Sequence, residues 1–265
     1  MDKIARIKSI QKATILDTSI TDLPTFDLAD LQLTTAVDFE LPTNLRLGHL
    51  AEKVVSELIK ASANYQMMEE NIQIIEDKKT IGELDFIVEK IPTKQLIHVE
   101  LAYKFYLFDP SISSEIINNW IGPNRNDSLQ EKLTKLKTKQ LPLLQHASTQ
   151  AMIADLATRQ ISQALCLLVS LFVPYQYQAN FSPNYQRAIK GYYLDLDTFV
   201  RLDNDQKTYY LPAKKAWGME PDENEKWTNL EGIQKQLLSS MDEKRAVLCW
   251  QKNQGKYRTF FVTWW

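Results

Sequence analysis

The run from Ser162 to Val173 constrains the chain most. Its near-continuous Leu, Val and Phe residues show no polar face, yet its longest apolar stretch, Ala164 to Pro174, is too short to cross a bilayer of roughly 30 Å. Such a run is a strand buried on both faces. Ahead of it, Leu45, Leu47, Leu50, Ala51, Val54, Val55, Leu58 and Ile59 recur at helical spacing behind Thr43 or Asn44, the candidate caps. Three strand-like runs follow, Tyr65 to Glu76, Gly82 to Glu89 and Gln95 to Leu107. Asp77-Lys78-Lys79 and Ile91-Pro92-Thr93-Lys94 separate them as hairpin turns. A helix is expected from Ser128 to Gln140, with Leu129, Leu133 and Leu136 on its inner face, and a second helical stretch from Gln145 to Ala157. Helix, three-strand meander, helix, strand is an α/β order.

Flanking this middle, residues 1–43 predict one amphipathic helix and an irregular arm. Residues 175–265 predict a mixed α+β elaboration with short aromatic strands at Gly191 to Leu194 and Thr208 to Leu211, and a helix from Asn229 to Met241. Ala246 to Gln251 and Lys256 to Trp265 form a closing hairpin around Asn253-Gln254-Gly255. The many Trp and Tyr residues of this tail are expected to be core and edge aromatics rather than platforms for unpaired bases.

Composition excludes several chemistries. With 31 Lys and Arg against 33 Asp and Glu, a net charge of −2 exerts no global pull on nucleic acid, so any polyanion site must be a local basic patch. The seven glycines form neither GxxxxGK[ST] nor GxGxxG, which removes the usual nucleotide-cofactor loops. His49, His98 and His146 never form HExxH, and no serine sits in GxSxG. Cys166 and Cys249 read as buried thiols in a reducing compartment. The first residues alternate charged and apolar side chains and build no secretory apolar segment, so a cytoplasmic protein without a membrane partner is expected. Carboxylates, lysines and a hard metal ion remain.

Strand alternation puts Glu83, Asp85 and Ile87 on one face of the second strand, and His98, Glu100, Ala102 and Lys104 on one face of the third. If the hairpin closes near Pro92 and Thr93, Asp85 falls almost opposite Glu100, with Cβ atoms roughly 5 Å apart. Two carboxylates that close could hold Mg²⁺ or Mn²⁺, which commonly bind through one or two carboxylates and complete their shells with water or substrate phosphate. Lys104 is then the candidate for stabilising phosphate charge, and Glu52 a further ligand or water-orienting base. His98 would be structural or support the carboxylates, and His49, three residues before Glu52, could hydrogen-bond it, although a surface imidazole is the commoner role.

Gly82-Glu83-Leu84-Asp85 followed by His98-Val99-Glu100-Leu101-Ala102-Tyr103-Lys104 resembles the PD-(D/E)XK nuclease superfamily, where an Asp and an ExK triplet lie on adjacent strands. Together GELDF, HVELAYKFYL, WIGPNRNDSLQEKL and KQLPL resemble an uncharacterised bacterial family, domain of unknown function 1853. The resemblance implies a restriction-endonuclease-like core over residues 44–174, with metal-binding acids at Asp85 and Glu100 and a first-helix acid at Glu52. The lysine departs from the pattern: Ala102 holds the ExK place, and Lys104 lies two residues on, roughly 7 Å along the strand.

Arg125, Lys132, Lys135, Lys137 and Lys139 make the densest basic stretch. Lys132, Lys135 and Lys139 recur at helical spacing opposite the leucine stripe, as a phosphate-tracking rail would, although a solvated helix face is the commoner role for any one lysine. Gln140, at the end of that helix, could meet a phosphate or base, or simply mark the helix boundary with Pro142 close behind. A metal-dependent nuclease acting on DNA or RNA is therefore the expected function. The alternative is a non-catalytic nucleic-acid or protein binding module that keeps the fold, and a carboxylate-pair glycosidase ranks below both.

Overall fold

The computed structural model describes residues 3–35, 37–42 and 44–265. In chain order the elements are α1 (Lys3–Gln11), β1 (Thr14–Ile15), α2 (Thr18–Thr21), α3 (Leu47–Lys60), β2 (Tyr65–Glu76), β3 (Lys79–Lys90), β4 (Gln95–Phe108) and β5 (Trp120–Ile121). Then come α4 (Leu129–Lys135), α5 (Ala147–Met152), α6 (Ala154–Ala157), β6 (Ile161–Pro174), α7 (Pro183–Ala188), β7 (Ile189–Asp195) and α8 (Leu196–Arg201). The chain closes with β8 (Lys207–Tyr210), α9 (Leu230–Asp242), β9 (Val247–Asn253) and β10 (Lys256–Thr263). The fold is mixed α/β. No helix among the described residues is long and apolar enough to cross a membrane.

The chain divides into two compact units. One comprises residues 10–104 and 131–168, with strand order β2-β3-β4-β6. Its strands form because each turn suits a hairpin: Asp77 and Lys78 both take positive φ between the paired Glu76 and Lys79, the two-residue geometry that matches strand twist. Lys90 pairs with Gln95 across the second turn, and the register continues to Phe86 opposite Val99. The continuous apolar run is a strand whose residues 164–172 are all buried, as its composition demands. α3 buries Leu47, Leu50, Ala51, Val54, Val55, Leu58 and Ile59 along one stripe. Its N-cap is Arg46, without a side-chain cap bond, rather than Asn44; Thr43 lies outside the described residues.

Two expectations need correction here. The arm after α1 is not irregular throughout: Leu16 donates to Leu167 O at 3.0 Å and Phe26 to Leu165 O at 3.0 Å, so it lies along β6 and satisfies backbone groups there. The helix expected to reach Gln140 stops as an α-helix at Lys135. A π-type turn spans Leu136–Gln140, with Leu141 N–H bonding Leu136 O, and a 3₁₀ turn follows over Leu141–Gln145. Pro142 has no N–H to continue the α pattern, and the wider turn ends the regular spacing of Lys132, Lys135 and Lys139.

The other unit comprises residues 1–9, 105–130 and 169–265, where β7, β10, β9 and β8 are successive neighbours. β10 pairs parallel to β7 and antiparallel to β9. The closing hairpin turns through Gln254 and Gly255, both at positive φ. Its core holds Leu194, Phe199, Tyr209, Leu237, Cys249 and Phe260, so much of the tail's aromatic content is packing.

Candidate functional site

β3 and β4 pair only as far as Phe86 and Val99, whereas β3 continues against β2 to Lys79 and β4 continues to Phe108. Asp85 and Glu100 are the first residues beyond the end of that ladder. The hairpin register therefore places them opposite one another, as strand alternation and the turn position predict. Asp85 takes over part of the missing ladder: its Oδ2 accepts from Leu101 N at 2.7 Å. On the other side of β3, Asn71 of β2 adopts positive φ between the pairs Glu70–Phe86 and Ile72–Leu84, an irregularity level with Asp85 that Asn tolerates better than most residues.

Both carboxylates are buried, Asp85 at 9% exposure and Glu100 at 0%. Glu100 is held from two sides. His98 Nε2 lies 2.9 Å from its Oε1, and Gln140 Nε2 donates to its Oε2 at 2.9 Å. Gln163 Nε2 donates to Leu141 O at 2.6 Å and faces His98 Nδ1 at 3.3 Å. That amide fixes the tautomer: Nδ1 accepts, so the imidazole proton sits on Nε2 and is donated to Glu100. Asp85 has the opposite experience. Burial first, and then the Glu100 carboxylate, push its carboxyl well above the usual aspartate range, with Glu52 adding to the push. Leu101 N–H and Lys132 oppose the rise.

Further charged groups act on the two acids from around them. Glu52 of α3 bonds His49 Nδ1 at 2.8 Å and faces the acids electrostatically. Glu83 is raised by burial and by Glu52 and Glu100, with His49 opposing. Lys132 donates to Gln140 Oε1 at 3.0 Å. Its ammonium is lowered by burial and by Lys104, while Asp85 and Glu100 hold it up. Glu52, Asp85, Glu100, Lys104, Lys132 and Gln140 are thus one electrostatic group. Lys135 and Lys139 remain exposed.

Two signals joined the motifs in ways periodicity does not show. Gly82 of GELDF admits Leu143 of KQLPL, since a Cβ there would run into the Leu143 side chain. Gln140 of KQLPL reaches Glu100, forty residues earlier in the chain. Sequence reasoning left Gln163 unassigned and placed Lys132 on an open rail rather than beside the acids. Arg125 belongs to the other unit. Its guanidinium pairs with Asp109 at 3.0 Å and stacks over Trp265 at 4.4 Å. In the same loop Asn124 Oδ1 accepts from Ala246 N at 2.9 Å, and Trp120 is wholly buried against Phe108.

Among the described residues, no three His, Cys, Asp or Glu side chains converge in a ready-made metal cluster. The donor chemistry still fits a hard divalent cation. Mg²⁺ needs only one or two carboxylates when water and phosphate fill its shell, and the strained charge of Asp85 beside Glu100 is what a cation would relieve. No curated protein and no solved structure matches the chain. The model of the family described as "Domain of unknown function (DUF1853)" matches residues 4–258, so the chain belongs to that family.

Proposed function

We propose that the chain is a metal-dependent nuclease with a restriction-endonuclease-like core, hydrolysing phosphodiester bonds of DNA or RNA at Asp85 and Glu100. The supporting observation is the burial of these two carboxylates where the β3–β4 ladder ends, with the Asp85 carboxyl pushed up by burial and then by the Glu100 charge. Buried like charges without an intervening cation are costly, and they cluster at sites of function more than at sites of stability.

Asp85 and Glu100 would hold Mg²⁺ or Mn²⁺, with Glu52 beside them, and the bound cation would supply charge neutralisation at the phosphate. Glu100 is kept in place for this by His98 and Gln140, and Asp85 by Leu101 N–H. Hydrolysis forms a bond from water oxygen to phosphorus and breaks one P–O ester bond. Glu52, partly exposed at the edge of the cluster, takes the water proton, and the departing ester oxygen is protonated from solvent. Lys104 faces the developing negative charge, while Lys135 and Lys139 track the flanking phosphates.

A second reading has its own support. Ala102 stands where the resemblance expects lysine, and both Glu100 oxygens already accept hydrogen bonds. A non-catalytic nucleic-acid or protein binding module would use the same network as scaffold. Calorimetric titration of the full chain and of Asp85→Ala with Mn²⁺ separates the two. Binding by the wild type that is lost in the variant, followed by oligonucleotide cleavage, supports the nuclease; no binding by either supports the module.

A further inference from the structure

The resemblance finds Ala102 at the place of its lysine, and Lys104, the first candidate, is displaced along β4. A second ammonium lies in the same group of charges. Lys132 comes from α4, is half-buried, and donates to Gln140 Oε1 at 3.0 Å, while Gln140 Nε2 donates to Glu100 Oε2 at 2.9 Å. One amide thus ties the ammonium to the carboxylate. The π-type turn at Leu136–Gln140 makes the tie, since it carries Gln140 off the regular α-helical path to face both partners. The same turn buries Leu136, which anchors it while Gln140 bridges the ammonium and the carboxylate.

A half-buried ammonium needs an anion, and Asp85 and Glu100 are the opposite charges that act on Lys132. Gln140 occupies one of its three N–H bonds, and the remaining donors suit oxygen ligands. A phosphodiester drawn to the acids by a divalent cation would present such oxygens. We propose that Lys132 is the lysine of this active site, holding the scissile phosphate and stabilising its developing charge, with Gln140 as its positioning residue. The assignment rests on the nuclease reading above.

The test compares Lys132→Met, Lys132→Arg, Gln140→Leu and Lys104→Met in the full chain. Cleavage of fluorescein-labelled single- and double-stranded DNA and RNA oligonucleotides is followed in Mn²⁺. Oligonucleotide affinity is followed by anisotropy with Ca²⁺ in place of Mn²⁺, Mn²⁺ affinity by calorimetry, and folding by thermal melts. Lys132→Met is expected to lower kcat about 100- to 1000-fold, the range for removing one charge-stabilising donor, with Mn²⁺ affinity and melting temperature retained. Its oligonucleotide binding should lose about one unit of salt slope. Lys132→Arg should recover part of the rate. Gln140→Leu should lower kcat with KM unchanged, and Lys104→Met should cost less than Lys132→Met. Full activity in Lys132→Met, or its loss in Lys104→Met alone, overturns the assignment while leaving the nuclease intact. A wild type that neither binds Mn²⁺ nor cleaves overturns the nuclease reading, and the Lys132 assignment falls with it.

Discussion

β3 carries two buried carboxylates four residues apart, Asp85 and Glu89, and the chain treats them in opposite ways. Glu89 is covered by the cations that neutralise it: Lys94 reaches its Oε1 at 2.9 Å and Arg159 its Oε2 at 2.8 Å. Those hydrogen bonds hold its carboxyl below the usual glutamate range. Asp85 faces Glu100 instead, and burial together with that like charge holds its carboxyl above the ordinary range. Glu89 sits where β3 and β4 are still paired, opposite Leu96, and its partners close a hairpin. Asp85 sits where the pairing has ended. One strand therefore holds a carboxylate neutralised by two cations and, four residues earlier, a carboxylate that faces a like charge.

The largest effect that would break this contrast is expected at Asp85. Asp85→Asn preserves an acceptor for Leu101 N–H but removes the charge, so Mn²⁺ binding and any cleavage should vanish while the fold remains. Folding raises the Asp85 carboxyl, so the folded chain binds that proton more tightly, and ionisation destabilises the fold as pH rises above about 3.9. Melting curves taken without divalent metal should accordingly show the variant gaining on the wild type as pH rises above about 4. A variant that melts lower at every pH would show Asp85 to be structural.

Next in size is Gly82→Val, which drives a side chain into Leu143 three residues ahead of Asp85. The clash is with the Cδ1 end of the half-buried Leu143, which can swing aside, so the loss should stay at or below about 1 kcal/mol, the low end for overpacking, and chemical denaturation measures it directly. Mn²⁺ affinity should fall with it, since β3 carries Asp85. Glu89→Gln is expected to act in the opposite sense from Asp85→Asn. Folding lowers the Glu89 carboxyl, so its contribution is fully present above about pH 4.3 and lost as pH falls through the folded value. The variant should melt below the wild type at neutral pH, with the gap closing in acid. The smallest effects belong to the exposed lysines. Lys135→Gln and Lys139→Gln should each reduce the salt slope of oligonucleotide binding by about one and leave Mn²⁺ affinity unchanged.

Much of the first unit was legible because its signals are local. A period of two and a short turn are enough to place β2 at Tyr65–Glu76 and to start β4 at Gln95, and the same arithmetic puts Asp85 level with Glu100. The stripe of α3 likewise follows from spacing alone. The arm between α1 and α3 was not legible, because backbone bonds of Leu16, Pro24 and Phe26 go to β6, about 140–150 residues later in the chain, and those of Gln32 and Thr34 to the end of α3. The helical stretch does reach Gln140, but its last turn is π-type, which three lysines at helical spacing do not reveal.

The acids, their strand faces and their register are thus properties of the sequence by itself, since each depends on bonds between residues a few positions apart. Which groups answer those acids was decided only by tertiary structure. His98 beside Glu100 follows from alternation along β4, but Gln140 on Glu100, Gln163 behind His98, and Lys132 behind Gln140 are meetings that strand alternation does not encode. Packing brings them together around a charge that burial has made too costly to leave in water's absence without partners.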